Sequence, residues 1–402
     1  MNLKNIASNE TNEINDTKEA EKSISINNSS KALNKRLNYY YKNPPLIGLQ
    51  NIGEISYMNA TLQCFSNIEK LTCYFKFDSY IKEIIKNKPN GLTASYKLII
   101  DKLWPSNTKN NNKYYSPFEF NKKLASLSPL FQVGQPNDAK DLINFIIYTL
   151  YEELNIRKDN NNNDHYIDQT NEQLVFRTFI EKYNKNNSII SDLFYGIIKI
   201  VVKCSKCKIS KYSFTENFFF IFPLEEIRKY KLKELQVNNN DNIMNEKEKN
   251  FKIHLLNKNI VDIKDCLDYE QKIDLFTGDE AMYCNYCNEL SDATFQVFSH
   301  SLPQILIFIF NRGKGPLNKI KVKFNELLDL NNYSQNGGIY ELINVVTYLG
   351  ENQFNGHFIA SCKSPIDNQW YRYNDAIITK ITDINKDILD FGYPYVLFYK
   401  RK

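Results

Sequence analysis

The chain has 402 residues, of which 42% are hydrophobic and 24% are charged, a balance typical of globular proteins and not of disordered or fibrous ones. At about 150 residues per domain, it accommodates one large domain or two ordinary ones. A net charge of +5 is too small to indicate a nucleic-acid-binding surface, and no apolar run approaches the roughly 18 residues of a membrane span. We therefore expect neither nucleic acid nor a membrane as a partner. The N-terminus also lacks the apolar segment of a signal peptide, which predicts an intracellular protein, cytoplasmic or nuclear.

The composition divides the chain into a tail and one interrupted domain. Residues 1–43 are rich in Asn, Lys, Glu and Ser and are predicted to form a disordered tail. Residues 44–402 form the predicted domain. Three polar runs within it, near 107–113, 159–164 and 238–248, are predicted to be surface insertions.

The first half of this domain has helical periodicity. Met58, Leu62 and Phe65 fall at i, i+4 and i+7, and a second apolar stripe runs from Leu142 to Leu150. From about residue 195 the pattern changes to strands, which we predict at 197–202, 214–222, 295–298, 305–310, 320–324, 339–348, 358–361 and 395–399. Helices followed by strands predict an α+β fold with a mostly antiparallel sheet.

Four of the eight cysteines form two Cys-x-x-Cys pairs, Cys204/Cys207 and Cys284/Cys287. In a chain predicted to be intracellular, this spacing favours a metal over disulfides. The stretch between the pairs is far longer than the roughly 15–20 residues of a compact zinc ribbon, so the pairs taken alone could be unrelated. Four thiolates would nevertheless close one tetrahedral, purely structural zinc site.

The chain has only four histidines, and His357 differs from the others because it follows a glycine and opens an apolar strand. Asn374 and Asp375 end a later aromatic segment. A His on one strand can meet an Asn or Asp on the next, which would supply a general base and its orienting partner. The same pattern also fits a histidine that lies at a strand edge, is hydrogen-bonded to a neighbouring residue and has no catalytic role.

Residues 48–63 read Gly-Leu-Gln-Asn-Ile-Gly-Glu-Ile-Ser-Tyr-Met-Asn-Ala-Thr-Leu-Gln. They resemble the nucleophile box of the ubiquitin-specific protease family, Gly-Leu-x-Asn-x-Gly-x-Thr-Cys-Tyr-Met-Asn-Ser-x-Leu-Gln. Six further segments resemble motifs of the same family, in the same order along the chain: 137–142, 275–284, 302–312, 356–358, 370–375 and 395–400. The resemblance therefore covers about residues 45–402.

The resemblance implies a papain-like cysteine-protease fold with a helical thumb, a β-sheet palm and zinc-stapled β fingers at roughly 195–300. In this family the fingers, palm and thumb together bind ubiquitin, and the C-terminal tail of ubiquitin extends to a thiol nucleophile. The resemblance also places both Cys-x-x-Cys pairs at the tip of the fingers, as ligands of one zinc ion. The partners it implies are ubiquitin or ubiquitinated proteins.

The resemblance further implies roles for individual residues. Ser56 stands at the position of the nucleophile. The other implied roles are Asn51 as oxyanion donor, His357 as base, Asn374 as its orienter with Asp375 adjacent, and Asp138 and Asp141 as acidic contacts of the ubiquitin tail.

Ser56 is the main departure from the family, which has Cys at this position. A thiol pKa near about 8.5 can be lowered into the neutral range by a neighbouring His⁺ or a helix N-terminus, whereas a hydroxyl needs concerted proton removal by an aligned base. Catalytic geometry tolerates an error of only ~0.5 Å, so a site shaped for sulfur should be nearly inactive with Ser. Glu54 and Ile55 also depart from the pattern, which favours natural replacement over a laboratory mutation. Cys64 lies ~12 Å further along a helix and is no substitute nucleophile.

Three hypotheses follow. The first is a pseudo-deubiquitinase, which binds ubiquitin through its C-terminal tail but has weak or no isopeptidase activity. The second is an active deubiquitinase that cleaves ubiquitin isopeptide bonds with Ser56 as nucleophile. The third is a scaffold that binds proteins other than ubiquitin, permitted by the changes at Asn137 and Asp141. The sequence does not determine the oligomeric state.

Overall fold

The computed structural model of the chain describes residues 40–78, 80–106, 113–155, 168–183, 188–237, 245–312, 319–350 and 356–402. Most of the predicted tail and of the three predicted insertions lies outside these ranges. Within them, no helix is both long and apolar enough to cross a membrane.

The domain begins earlier than the sequence predicted. Tyr41, assigned to the tail, is 3% exposed, and its ring packs edge-on against Trp104 with 5.2 Å between the ring centroids. Its hydroxyl also donates to the Trp104 carbonyl oxygen at 2.6 Å. The last predicted insertion, near 238–248, ends earlier than predicted, because Asn245 caps a helix by accepting a hydrogen bond from the Glu248 amide at 2.9 Å.

Eleven α-helices lie in the described ranges, most of them in the first half as predicted. In chain order they are α1 Ser56–Ser66, α2 Glu69–Phe77, α3 Tyr80–Asn87, α4 Leu92–Leu103, α5 Phe118–Leu127, α6 Ala139–Leu154, α7 Glu172–Tyr183, α8 Ile189–Phe194, α9 Leu224–Val237, α10 Glu246–Asn257 and α11 Ile263–Glu270.

Strands dominate the second half. In chain order the described strands are β1 Gly48–Leu49, β2 Tyr114–Tyr115, β3 Gly196–Cys204, β4 Ser210–Asn217, β5 Phe220–Pro223, β6 Ile260–Asp262, β7 Ile273–Phe276, β8 Met282–Cys284, β9 Glu289–Ser291, β10 Ala293–Ser301, β11 Ile305–Asn311, β12 Lys321–Lys323, β13 Leu327–Asp329, β14 Ile339–Gly350, β15 Gly356–Lys363, β16 Trp370–Asn374, β17 Ile377–Lys380 and β18 Tyr393–Arg401. The run predicted as one strand at 214–222 is divided between β4 and β5.

The largest sheet has the strand order β17-β16-β15-β14-β18-β11-β5, with β13 paired to β14. Its pairings are antiparallel except for the parallel pair β5–β11, which confirms the predicted mostly antiparallel sheet. Along β11, residues 305, 307 and 309 face one core, while 306, 308 and 310 face another. The continuous apolar run of β11 therefore reflects burial on both faces of the sheet.

Helix α1 lies at the centre of the first core, against β15 and α6. All of its residues are buried, although only one stripe of them is strongly apolar. The polar residues of α1 must therefore find internal partners, since buried polar groups are normally hydrogen-bonded. Several of these partners belong to the site described below.

A second sheet has the order β4-β3-β10-β7, and the β8–β9 hairpin carries the second Cys-x-x-Cys pair beside it. Only the two ends of the segment predicted as fingers, roughly 195–300, contribute to this arrangement. The described residues of its middle, 220–237 and 245–270, pack on the other face of the large sheet, because β5 pairs with β11 and the buried side chains of α9–α11 join the second core.

Candidate active site

Three chain segments converge at one end of the large sheet. The N-terminus of α1 carries Ser56, the start of β15 carries His357, and the end of β16 carries Asn374. Strand β15 contacts both α1 and β16, so the fold brings together residues more than 300 positions apart. These are three of the positions that the family resemblance singled out.

Ser56 is the first residue of α1 and is 7% exposed. Its Oγ accepts a hydrogen bond from the backbone N–H of Phe358 at 3.2 Å. Among the described residues, Ser56 forms no hydrogen bond with the His357 ring, although the two belong to neighbouring segments. The group at position 56 thus faces a backbone donor and the positive end of a helix dipole, both of which favour negative charge there.

The His357 ring is held by Asn374, with 2.7 Å between Nε2 and Oδ1. An amide oxygen can only accept, so the neutral ring carries its proton on Nε2 and keeps the lone pair on Nδ1. This tautomer leaves Nδ1 free to act as a base. The Asp375 carboxylate approaches the same Nε2 at 3.7 Å.

Asn51 lies in the loop before α1, and both ends of its side-chain amide are bonded. Its Oδ1 accepts from the Ile55 backbone N–H at 3.2 Å, and its Nδ2 donates to Asp375 Oδ2 at 3.0 Å. These two bonds fix the amide plane and leave a second N–H on Nδ2. That N–H is an available donor for a developing oxyanion.

Asp138 and Asp141, the predicted contacts of the ubiquitin tail, lie in different surroundings. Asp138 caps α6 through Lys140 N–H at 2.7 Å and accepts from the Tyr395 hydroxyl at 2.6 Å. Burial raises the pKa of Asp138, and the two hydrogen bonds oppose this rise. The side chain of Asp141 is 37% exposed, and its Oδ1 lies 3.5 Å from Lys140 Nζ. In this arrangement Asp141 is accessible, whereas Asp138 already bonds internal donors.

The two Cys-x-x-Cys pairs meet. Their sulfur atoms all lie within 4.8 Å of one another, with 3.9 Å between Cys204 and Cys287 and 3.7 Å between Cys207 and Cys284. Four sulfurs at the Zn–S distance of about 2.3 Å would be separated by ~3.8 Å in a tetrahedron, so the cluster fits zinc. Backbone N–H groups lower the pKa of Cys204 to about 6, whereas burial and the neighbouring sulfurs raise the pKa of Cys287 to about 12. A cation would let all four ionise.

The sequence analysis did not single out Asn59, which is 2% exposed on α1. Its Nδ2 donates to Asp375 Oδ1 at 2.8 Å and lies 3.3 Å from the Leu49 carbonyl oxygen. The available signal was its spacing: Asn59 is three residues after Ser56, and residues at i and i+3 share a helix face.

A hydroxyl at a helix N-terminus thus lies near a strand-borne histidine that is oriented by an amide, an arrangement similar to that of a thiol hydrolase but with an oxygen in place of the sulfur. The four-cysteine cluster lies apart from this arrangement, between β3 and the β8–β9 hairpin. The chain belongs to the ubiquitin carboxyl-terminal hydrolase family, whose model matches residues 47–399. The resemblance seen in the sequence is thereby confirmed.

Similarity to individual proteins supports this family assignment. Ubiquitin carboxyl-terminal hydrolase 2 of Homo sapiens is 25% identical over 371 residues, which are 88% of this chain and 55% of that protein. Ubiquitin carboxyl-terminal hydrolase 15 of Xenopus tropicalis is 31% identical over 187 residues, which are 45% of this chain and 19% of that protein. The chain thus spans about half the length of hydrolase 2 and less of hydrolase 15.

The fold also matches a solved structure, the SAGA DUB module of Ubp8, Sgf11, Sus1 and Sgf73 bound to monoubiquitin. The TM-score is 0.63 and the sequence identity 19%, over 90% of this chain and 70% of that chain. The predicted mixed fold of the ubiquitin-specific protease type is therefore confirmed.

Proposed function

We propose that this domain binds ubiquitin through its C-terminal tail and has weak or no isopeptidase activity, so that it acts as a pseudo-deubiquitinase. Family membership and the ubiquitin-bound structural neighbour support ubiquitin as the ligand. The observation that supports impaired activity is the hydroxyl at position 56, which is hydrogen-bonded to the Phe358 amide and not to the His357 ring.

The surroundings of Ser56 suit a thiolate better than a hydroxyl. The helix N-terminus and the Phe358 N–H both stabilise a negative charge that exists before the reaction, as on an ionised thiol. A serine stays protonated at neutral pH and must pass its proton to the base during attack, which requires a direct hydrogen bond to His357. The assembled base and oxyanion donor would therefore serve a thiol at position 56, where this chain has a hydroxyl.

The second candidate is an active hydrolase with Ser56 as nucleophile. The Asp375 carboxylate 3.7 Å from His357 Nε2 favours it, because a negative charge stabilises the imidazolium that forms when the base takes up a proton. In that mechanism the Ser56 oxygen attacks the isopeptide carbonyl, His357 Nδ1 receives the hydroxyl proton and Asn51 donates to the oxyanion. The C–N bond then breaks as His357 passes this proton to the leaving lysine amine, and water hydrolyses the ester between ubiquitin and Ser56.

We further propose that the four-cysteine cluster holds one structural zinc ion. The ion would join the end of β3 to the β8–β9 hairpin, with no open position for chemistry. Metal-bound thiolates require reduced cysteines, which fits the intracellular location, cytoplasmic or nuclear, predicted from the sequence.

The test is release of a fluorophore from the ubiquitin C-terminus, together with direct measurement of ubiquitin binding. The parent protein is compared with Ser56→Cys and with Ser66→Cys, a matched control that adds a thiol at a buried position in the same helix. We expect ubiquitin binding by all three and rapid release only by Ser56→Cys, at least about tenfold above the parent, which corresponds to roughly 1.4 kcal/mol in the barrier.

Each other result favours a different hypothesis. Release by the parent at a rate close to that of Ser56→Cys would establish the serine hydrolase. A folded protein that neither binds ubiquitin nor releases the fluorophore in any variant would overturn the proposal and favour the scaffold.

A further inference from the structure

Asp375 is the centre of a small network that joins three segments of the chain. Its Oδ1 accepts from Asn59 Nδ2 at 2.8 Å, and its Oδ2 accepts from Asn51 Nδ2 at 3.0 Å. Its carbonyl oxygen accepts from the Leu49 N–H at 3.0 Å. The side chain is only 15% exposed, and the residue has a positive φ of 52°. A non-glycine residue in this conformation needs surroundings that hold it there.

Asn59 supplies part of that support from α1. It is 2% exposed, and the carboxylate it faces can only accept hydrogen bonds, so its amide nitrogen must point at Asp375. Its Oδ1 is buried and has no hydrogen-bond partner among the described residues. The orientation of the Asn59 amide is therefore set by the two acceptors of its Nδ2, the Asp375 carboxylate and the Leu49 carbonyl oxygen.

The bond has a consequence for Asn51. With Oδ1 occupied by Asn59, the Asp375 carboxylate presents Oδ2 to Asn51, whose other end is bonded to the Ile55 N–H. Without Asn59, Oδ1 would lose this donor, and the carboxylate would be free to rotate away from the orientation that presents Oδ2 to Asn51. The Asn51 amide would then lose the acceptor that sets its orientation.

We infer that Asn59 is a positioning residue: it holds the Asp375 carboxylate so that the carboxylate aims the free N–H of Asn51 at the oxyanion beside position 56. This inference rests on the proposed function, since it assigns a role within the same site. It predicts that Asn59 acts on the reaction only through Asn51.

The kinetic test uses the Ser56→Cys protein. We expect Asn59→Ala to lower kcat by an amount on the order of a hundredfold, the effect of a catalytic group misplaced by about 1 Å, with KM unchanged within about twofold. If Asn59 acts through Asn51, the double variant Asn51→Ala/Asn59→Ala should be no slower than Asn51→Ala alone. A double variant slowed by the product of the two single effects would overturn the inference.

The matched control is Asn344→Ala. Like Asn59, Asn344 is buried and has an Oδ1 without a hydrogen-bond partner among the described residues. Its amide also donates to α1, at 2.9 Å to the Cys64 carbonyl oxygen. Its contact with α1 lies far from position 56 along the helix. We expect Asn344→Ala to lower Tm but to leave kcat of the Ser56→Cys protein within about twofold; an equal loss of kcat would make the Asn59 effect merely structural.

A second measurement does not depend on activity. In the parent protein labelled with ¹⁵N-asparagine, the side-chain amide signals of Asn51 are identified by their loss in Asn51→Asp. Asn59→Ala should shift these signals and speed their hydrogen exchange, whereas Asn344→Ala should not; unchanged Asn51 signals in Asn59→Ala would overturn the inference. If Ser56→Cys proves inactive, the kinetic test has no readout and this measurement alone decides the role of Asn59; the proposed function fails only if ubiquitin binding is absent as well.

Discussion

The hydrogen bond between Tyr395 and Asp138 joins the last strand of the large sheet to the N-terminus of α6. Tyr395→Phe removes this bond, 2.6 Å long, and keeps the ring that packs against Phe358 with 5.2 Å between centroids. A hydrogen bond to a charged group contributes about 1.5–3 kcal/mol, so we expect a loss of roughly 2 kcal/mol at neutral pH. At about 2.1 cal/mol/K per residue, a domain spanning 47–399 should lose about 3 °C in Tm.

The loss should depend on pH. Burial raises the pKa of Asp138 in the folded protein, so its protonation stabilises the fold at acid pH and this contribution disappears as the pH rises through the raised pKa. The Tyr395 hydroxyl opposes that effect because it lowers the pKa and stabilises the ionised carboxylate. Removing the hydroxyl should therefore cost more at about pH 7.5 than at about pH 4.5, where more of Asp138 is protonated.

Calorimetry at both pH values measures the effect, with Tyr399→Phe as the control. Tyr399 lies on the same strand and is also buried, but its hydroxyl donates to a neutral acceptor, the Asn325 carbonyl oxygen, at 2.6 Å. Its removal should cost about 1 kcal/mol at either pH. If Tyr395→Phe lowered Tm by the same amount at both pH values, or by no more than the control, the bond would not be stabilising a charged carboxylate.

Two further predictions concern the metal and the start of β15. Elemental analysis should find one zinc ion per chain, and Cys284→Ser should lose the ion and lower Tm. The control Cys266→Ser should keep the zinc, because its buried thiol lies outside the cluster. Zinc that remains bound in Cys284→Ser would contradict the site. In Gly356→Ala the new Cβ would collide with the Tyr348 ring, so Tm should fall by several degrees and fluorophore release by the Ser56→Cys protein should slow. Gly278→Ala, where a Cβ meets nothing within 4 Å, should cost only the ~1–2 kcal/mol of its positive φ; equal losses in the two variants would refute the collision.

Much of the fold could be predicted because the signals are local. The helical spacing of Met58, Leu62 and Phe65 and the apolar run of β11 each reflect the period of the element and the core it faces. The same holds for the Cys-x-x-Cys pairs, whose short spacing alone suggests a metal. The middle of the segment predicted as fingers was harder to place, because its position depends on the pairing of β5 with β11, more than 80 residues later in the chain.

The ordered motifs of the sequence determined the family, the expected site residues and the absence of a thiol at position 56, because each is a statement about residue type and spacing along the chain. Only the tertiary structure decided what those residues contact. Asn59 bonds Asp375 across 316 positions, and Asp138 bonds Tyr395 across 257. Neither partner follows from a local pattern, since the direction of a buried polar side chain is set by whichever donor or acceptor the packing of distant segments brings within hydrogen-bond distance.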